Sequence, residues 1–163
     1  MSTVILSEQQ ITQKIKRIAF QILENNIDEQ SIYIAGISSN GYIFAKKLKD
    51  ELANISAKNF TLCEVKVDKQ DPLDNVTTSI AIDEFTDCSL VLVDDVLNSG
   101  RTLIYAVRYF LQVPLKKFRT AVLVDRNHKK FPVKSDFKGI SLSTSMEEHV
   151  RVEFEKEARA ILF

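Results

Sequence analysis

Two segments of this chain each pass from a short apolar run through a small polar loop directly into a helical pattern. Ile32–Ala35 leads through Gly36–Gly41 into an apolar stripe over residues 42–53, and Leu90–Val93 leads through residues 94–102 into a second helical stripe. Each run has the length and apolar character of a buried strand. Strands that alternate with helices are joined by right-handed crossovers, which make the strands parallel. The pattern therefore predicts an α/β fold with a mostly parallel central sheet flanked by helices.

The helices of this fold can be read from capping signals and apolar spacing. A capping-box pair, Ser7 and Gln10, precedes an amphipathic helix that runs to Asn26. In the helix after the first apolar run, the side chains expected to point inward are Ile43, Phe44, Ala45 and Leu48.

Further strands are expected on both sides of the two central ones. Residues 60–67 and 120–124 have the pattern of buried strands, and two short strands, at residues 139–142 and 150–154, are expected to form a small C-terminal flank beside the sheet. No repeat, low-complexity segment or linker interrupts the pattern. We therefore expect residues 1–163 to form a single domain.

The loop after the second apolar run carries the clearest chemistry. In an open α/β sheet, ligands bind beyond the carboxyl ends of the strands, and a helix N-terminus offers N–H groups to an anion. Adjacent carboxylates can hold vicinal ribose hydroxyls, while backbone N–H groups and small hydroxyls can hold a monophosphate. The segment therefore predicts a sugar-phosphate site formed by Asp94, Asp95, Val96, Leu97, Asn98, Ser99, Gly100, Arg101 and Thr102. The alternative is a strand that ends in two solvated acids before a polar turn.

A nucleoside triphosphatase loop is a second alternative for these strand ends. Gly36 and Gly41 have the glycine spacing of such a loop, but Tyr42 and Ile43 follow where a lysine and a serine or threonine are required. Because that lysine is missing, the sequence argues against hydrolysis of nucleoside triphosphates.

Composition narrows the class of protein. The 163 residues are 45% hydrophobic and carry a formal net charge of zero, which argues against a general nucleic-acid coat protein but allows a local basic patch. No apolar stretch approaches the roughly 18–20 residues that span a bilayer, and the N-terminus lacks the pattern of a signal peptide. We expect a cytoplasmic protein with no membrane partner.

The run from Leu90 to Thr102 resembles the 5-phosphoribosyl-1-pyrophosphate (PRPP) signature of type I phosphoribosyltransferases, in which an apolar strand is followed by two acids, a short loop, glycine, a basic residue and threonine. The segment from Ala121 to His128, with Pro132 and the step Asp136–Gly139 behind it, is similar to one subfamily. These are the bifunctional pyrimidine-operon attenuation regulators that also act as uracil phosphoribosyltransferases.

This resemblance implies a reaction in which a base, most simply uracil, displaces pyrophosphate from PRPP with the help of Mg²⁺. Asp94 and Asp95 would hold the ribose hydroxyls or the hydration shell of the metal, with Asp95 the candidate proton acceptor. The first loop would bind the pyrophosphate through Ser38, Ser39, Asn40 and Gly41. The residues expected near the base are Val124, Asp125 and Arg126. The family also implies a homo-oligomer.

Two positions depart from the pattern of the regulators. Asn40 stands where they carry an arginine, and residues 67–74 lack the aromatic residue and the arginine of their mobile lid. Lys66 or Lys69 could supply a replacement charge, although a lysine lacks the bidentate fork of an arginine.

The competing function is a PRPP- or nucleotide-sensing regulator that binds RNA with little catalysis. It would use a basic set formed by Lys14, Lys16, Arg17, His128, Lys129, Lys130, Lys134 and Lys138. A transferase acting on another base, such as a purine, also remains open. The expected partners are thus PRPP, a nucleobase or nucleoside monophosphate, and RNA in the competing reading.

Overall fold

The computed structural model describes all 163 residues of the chain. In chain order its strands and helices are β1 (Thr3–Leu6), α1 (Glu8–Asn25), β2 (Ser31–Ile37), α2 (Asn40–Ile55), β3 (Asn59–Val67), β4 (Val76–Thr78), β5 (Ser89–Leu97), α3 (Arg101–Phe110), β6 (Lys117–Arg126), β7 (Phe137–Leu142), β8 (Val150–Glu153) and β9 (Arg159–Leu162). A short 3-10 turn, Ile82–Phe85, precedes β5.

The main sheet has six strands in the order β4-β3-β2-β5-β6-β7. All its neighbouring strands are parallel except β4, which pairs antiparallel with β3 at the edge. The two strands expected from the apolar runs, β2 and β5, lie side by side in the middle, so the loops after them open at the same edge. The predicted α/β fold with a mostly parallel sheet is confirmed.

Helices cover both faces of this sheet. The Ser7 hydroxyl accepts a hydrogen bond from the Gln10 N–H, and Gln10 Oε1 accepts one from the Ser7 N–H. These two bonds form the predicted capping box at the start of α1. Helices α1 and α2 pack in one apolar cluster with β2, β5 and β6, while α3 and the 3-10 turn share a second cluster on the opposite face. No helix combines the length and the apolar character needed to cross a membrane.

One residue of α2 lies on the other face of the helix from the one expected. The buried side of α2 consists of Gly41, Phe44, Ala45, Leu48 and Leu52. Ile43 is exposed, because it follows Gly41 by two positions and is therefore turned about 200° around the axis, to the side opposite the buried stripe.

The C-terminal flank differs in part from the expectation. Strand β7 joins the main sheet beside β6 rather than the flank, because its apolar side chains Phe137 and Ile140 pack into the main core. The flank is instead a three-stranded antiparallel sheet in the order β1-β9-β8, which we call the small sheet. The sequence pattern does not predict strands β1, β4 and β9, since each has only three or four residues and little alternation.

Candidate active site

One cavity of about 240 Å³ lies at the carboxyl end of β5. It is lined by all nine residues of the predicted sugar-phosphate site, from Asp94 to Thr102, together with Lys69, Leu103, Val150 and Arg151. The buried apolar part of β5 fixes the strand in the centre of the sheet, so the two acids and the loop emerge where ligands of α/β proteins bind. The structure thus brings the second predicted loop together as one site.

The loop between β5 and α3, residues 98–100, is shaped to approach an anion closely. Gly100 has φ +87° at the N-cap of α3, a left-handed conformation that glycine adopts without strain, and as a glycine it has no side chain that could cap the helix. A Cβ on Gly100 would lie 2.5 Å from Val133 Cγ1. The carbonyl of Ser99 accepts from the N–H groups of Lys130 (2.8 Å) and Phe131 (3.1 Å), which anchors the loop. The Arg101 N–H donates to Ser99 Oγ at 3.3 Å, so the N–H groups of Thr102 and Leu103 are the ones available to a phosphate.

The acids are held at the floor of the cavity. Asp94 Oδ1 accepts the backbone N–H of Asp95 at 2.9 Å, and the first turn of α2 packs against Asp94 through Gly41. Burial raises the pKa of Asp94 well above its usual value, and the neighbouring Asp95 raises it further, while Lys69 opposes the shift. A carboxyl group in this state favours a cation or a hydrogen-bond donor as its partner.

The first loop, Ser38–Gly41, borders the site but does not line the cavity. The backbone N–H and Oγ of Ser38 both donate to the Val65 carbonyl, at 2.8 and 3.1 Å, and the Ser38–Ser39 peptide is cis. Asn40 donates from Nδ2 to the Val152 carbonyl of β8 at 2.8 Å. The side chain at this position therefore holds the small sheet rather than facing the cavity.

The connection between β3 and β4 stands beside the cavity. It is closed at its base by a hydrogen bond from Asp68 N to the Asn75 carbonyl (3.1 Å) and is held to α3 by Arg108, which donates to the Leu73 carbonyl at 2.6 Å. Lys69 reaches the cavity from this connection. Lys66 does not, since it lies on β3 with its Nζ 3.9 Å from Glu64 Oε1. Of the two lysines considered as replacement charges, Lys69 is the one placed at the site.

The three residues expected near the base lie at the end of β6, outside the cavity lining. Val124 is fully buried in the core. The Asp125 carboxylate accepts from Lys129 Nζ (2.6 Å) and Ser135 Oγ (2.7 Å). Arg126 is 7% exposed and donates to Asn98 Oδ1 at 2.9 Å and to several acceptors in residues 144–148. Val124 and Asp125 pair with the cavity residues Val96 and Leu97 through the β5–β6 ladder, and Arg126 is the one whose side chain bonds to a cavity residue, Asn98.

Besides Leu103 in the first turn of α3, sequence reasoning missed two lining residues that belong to the small sheet, Val150 and Arg151. Both lie at the start of β8, and Arg151 pairs with Glu153 (3.1 Å) and lies over the Phe163 ring at 5.1 Å from its centroid. No local motif marks them, because their position depends on pairing of β8 with β9 in the small sheet. A cationic residue in a predicted strand of the flank was the only available signal.

Comparisons of the sequence with known proteins show the family of this chain. Residues 1–156 match the family model described as "Phosphoribosyl transferase domain". The chain is 33% identical over 162 residues to "Bifunctional protein PyrR" of Bacillus pumilus, covering 92% of this chain and 89% of that protein. It is 31% identical over 161 residues to the protein of the same name from Staphylococcus aureus, covering 94% of this chain and 92% of that one.

Solved structures show the same fold at low sequence identity. A hypoxanthine-guanine phosphoribosyltransferase of Bacillus anthracis superposes with a TM-score of 0.75 at 19% identity, covering 97% of this chain and 96% of that one. The hypoxanthine phosphoribosyltransferase of Trypanosoma cruzi gives a TM-score of 0.77 at 13% identity, covering 97% and 95%.

Proposed function

The chain belongs to the phosphoribosyltransferase family and is a pentosyltransferase, and on this premise we propose that it transfers the 5-phosphoribosyl group of PRPP to uracil with release of pyrophosphate. The observation that carries the proposal is the single cavity that joins Asp94 and Asp95 to the phosphate-binding loop. Uracil is the preferred base because the residues around β6 resemble those of the pyrimidine regulators.

The 5′-phosphate binds at the start of α3. The N–H groups of its first turn, together with the Ser99 and Thr102 hydroxyls, donate to the phosphate oxygens, and the helix dipole favours the negative charge. Arg101 adds a positive charge at the same end of the cavity. This end fixes the sugar so that its anomeric carbon lies farther along the cavity.

The ribose hydroxyls bind to the acid pair. Asp94 and Asp95 accept hydrogen bonds from the two vicinal hydroxyls, and these donors offset the burial that raises the pKa of Asp94. We assign the proton acceptor role to Asp95, because Asp94 Oδ1 is already engaged by the Asp95 N–H and packed against Gly41.

The donor set fits a magnesium ion that enters with the substrate. The structure has no group of three or more His, Cys, Asp or Glu side chains that could hold a metal ion by themselves. Mg²⁺ commonly takes one or two carboxylates and completes its shell with water and phosphate oxygens, and Asp94 and Asp95 would be those carboxylates. Bound there, it would neutralise part of the charge on the leaving pyrophosphate.

Lys69 serves the leaving pyrophosphate from the β3–β4 connection. Lys69 lines the same cavity as the acid pair, so its charge can act where the diphosphate departs. The backbone N–H groups of Ser39–Gly41 face the same edge of the sheet from the neighbouring strand end. As the C–O bond to pyrophosphate breaks, a ring nitrogen of the base forms the new C–N bond on the opposite face.

The decisive experiment measures pyrophosphate release from PRPP and Mg²⁺ with single bases. We expect release and formation of uridine monophosphate with uracil, and little with cytosine, hypoxanthine or guanine. Asp94→Asn combined with Asp95→Asn serves as the inactive control. If pyrophosphate is released only with a purine, that purine replaces uracil as the proposed substrate. If no base leads to pyrophosphate release, the transferase proposal is contradicted.

A second candidate function, RNA binding, is favoured by the relatives that are described as bifunctional. In this chain part of the basic set is already engaged. Lys129 and Lys138 both pair with Asp125, and Arg17 donates to the Gly139 carbonyl at 2.7 Å. Lys14, Lys16 and Lys130 take part in no ion pair and would carry the phosphate contacts.

Titration of a pyrimidine-operon leader RNA at several salt concentrations tests this function. Replacing Lys130 with alanine removes one phosphate contact, which is expected to reduce the slope of log affinity against log salt concentration by about one unit. The exposed Lys46 on α2 is the matched control. No binding at low salt would remove RNA from the partners of this chain.

A further inference from the structure

Arg126 links the phosphate-binding loop to the segment before β8 through one guanidinium group. Its Nη1 donates to Asn98 Oδ1 at 2.9 Å, on the phosphate-binding loop. Its Nε and Nη2 donate to Thr144 Oγ1 at 3.0 and 2.8 Å, and Nη2 also donates to the Glu148 carbonyl at 2.6 Å. The fork of an arginine is needed for this pattern, since a lysine cannot donate in two fixed directions.

The segment that Arg126 holds leads directly into the opposite wall. Residues 143–149 connect β7 to β8, and Val150 and Arg151 at the start of β8 line the cavity. Asn127 and His128 add bonds to Thr144, through its N–H (3.4 Å) and its carbonyl. A shift of this segment therefore moves the wall that faces the reacting sugar.

Arg126 is also a buried cation without a carboxylate partner. It is 7% exposed and takes part in no ion pair, because the adjacent Asp125 turns to Lys129 and Lys138. Neutral acceptors satisfy its donors but leave its charge uncompensated, which is costly in a buried position. A phosphate dianion bound beside Asn98 would supply the missing negative charge.

We propose that Arg126 is a positioning residue that couples occupancy of the phosphate-binding loop to the placement of the wall formed by Val150 and Arg151. The proposal rests on the proposed function, since it takes residues 98–102 as the 5′-phosphate site. Binding of the phosphate strengthens the Arg126–Asn98 contact, and the same guanidinium then holds residues 144–148 more firmly. The wall is thereby ordered before the base reacts.

Hydrogen exchange with ribose 5-phosphate as the probe tests the coupling. In the wild type, saturating ribose 5-phosphate is expected to slow exchange of the amides of residues 145–150 at least tenfold. This ligand-induced protection should be lost in Arg126→Ala and largely lost in Arg126→Lys. Arg119→Ala, at the other end of β6, should keep it. An equal gain in wild type and Arg126→Ala, or no gain in the wild type, would overturn the coupling.

Two further measurements separate this proposal from its premise and from a purely structural role. Calorimetry that finds no binding of ribose 5-phosphate would overturn both the phosphate site and the coupling, whereas binding without pyrophosphate release would overturn uracil transfer alone. Should Arg126→Ala fail to fold, Thr144→Val removes the hydroxyl acceptor and keeps the charge, and must reduce the protection gain. Methylguanidinium at tens of millimolar should restore turnover to Arg126→Ala, and failure to do so in a folded variant would indicate a structural role only.

Discussion

Gly41 is packed so tightly against Asp94 that a Cβ on the glycine would lie 2.9 Å from Asp94 Oδ1 and 3.0 Å from its Cα. The two residues belong to neighbouring strand–helix units, so this contact ties the first loop to the acid pair of the second. The position of the Asp94 carboxyl group in the cavity thus depends on the absence of a side chain at Gly41, in the first turn of α2.

Gly41→Ala should therefore displace Asp94. Overpacking of this kind costs about 1–3 kcal/mol, and the shifted carboxyl group should weaken binding of PRPP with Mg²⁺ more than it lowers stability. Isothermal calorimetry and thermal unfolding measure the two effects. Ala53→Gly, on the same helix and exposed, controls for a general loosening or tightening of α2. Wild-type affinity in a folded Gly41→Ala protein would contradict the assignment of Asp94 to the ligand.

Gly100→Val is expected to abolish the phosphate-binding conformation. A left-handed φ costs a side-chain-bearing residue roughly 1–2 kcal/mol, and the new Cβ would meet Val133 Cγ1 at 2.5 Å. Adding Val133→Ala should relieve the collision and recover part of the stability, but not the affinity for ribose 5-phosphate. Retained affinity in the folded Gly100→Val protein would remove residues 98–102 from the phosphate site.

Asp94→Asn should raise the stability of the ligand-free protein at neutral pH. Burial, followed by the neighbouring Asp95, raises the pKa of Asp94 in the folded state above the unfolded value of about 3.9. The folded state is thus favoured by the protonated acid, and this contribution is fully present below the unfolded pKa and lost as pH rises through the folded pKa. The permanently neutral variant should match the wild type at acidic pH and exceed its melting temperature at pH 7.

The size of that difference is measurable, because about 1 kcal/mol corresponds to roughly 2–4 °C in a domain of this length. Asp50→Asn on the exposed side of α2 is the control and should leave the pH profile unchanged. Asp94→Asn should also lose binding of PRPP with Mg²⁺. A variant that is less stable at every pH and still binds would make Asp94 a structural residue.

Lys69→Ala should weaken PRPP binding, whereas Lys66→Ala should not. Loss of one hydrogen bond to a charged group costs about 1.5–3 kcal/mol, which corresponds to roughly a 10- to 100-fold loss of affinity. Lys66 lies two residues from the β3–β4 connection and pairs with Glu64 instead of reaching the cavity. Equal effects of the two substitutions would show that neither lysine acts on the pyrophosphate directly.

We expect the protein to form a homo-oligomer through α1. Phe20 and Ile27, in and just after this helix, are 53% and 73% exposed, and association would remove their apolar surface from water. Light scattering at micromolar concentration should give a mass above that of one chain, and Phe20→Glu should lower it while Lys16→Glu should not. A strict monomer in the wild type would contradict the expectation.

The strand-end site was accessible to sequence reasoning because its parts are consecutive in the chain. Asp94 to Thr102 lie on one strand, one loop and the first turn of one helix, so their proximity follows from local structure alone. The roles of Asn40 and Arg126 were not accessible in this way. Asn40 bonds to a carbonyl 112 positions away, and Arg126 bonds to Asn98 and Glu148 across 28 and 22 positions.

The small sheet shows the same limit. Val150 and Arg151 reach the cavity only because β8 pairs with β9, and β9 in turn pairs with β1. The sequence predicts β8 itself, but β1 and β9 carry too few residues for a period-two pattern to identify them. Their placement follows from packing against the main core, which no local signal encodes.

The pairing of Thr3 with Leu162 also determines when the cavity can be completed during folding. Contacts between residues so far apart carry a high loop-closure cost, whereas the ladder between β2 and β5 and the packing of α2 join nearer segments. We therefore expect the parallel sheet to condense first and the β1–β9 pairing to form late. A chain caught between these events would already present its phosphate-binding loop, yet would lack the wall that encloses the sugar.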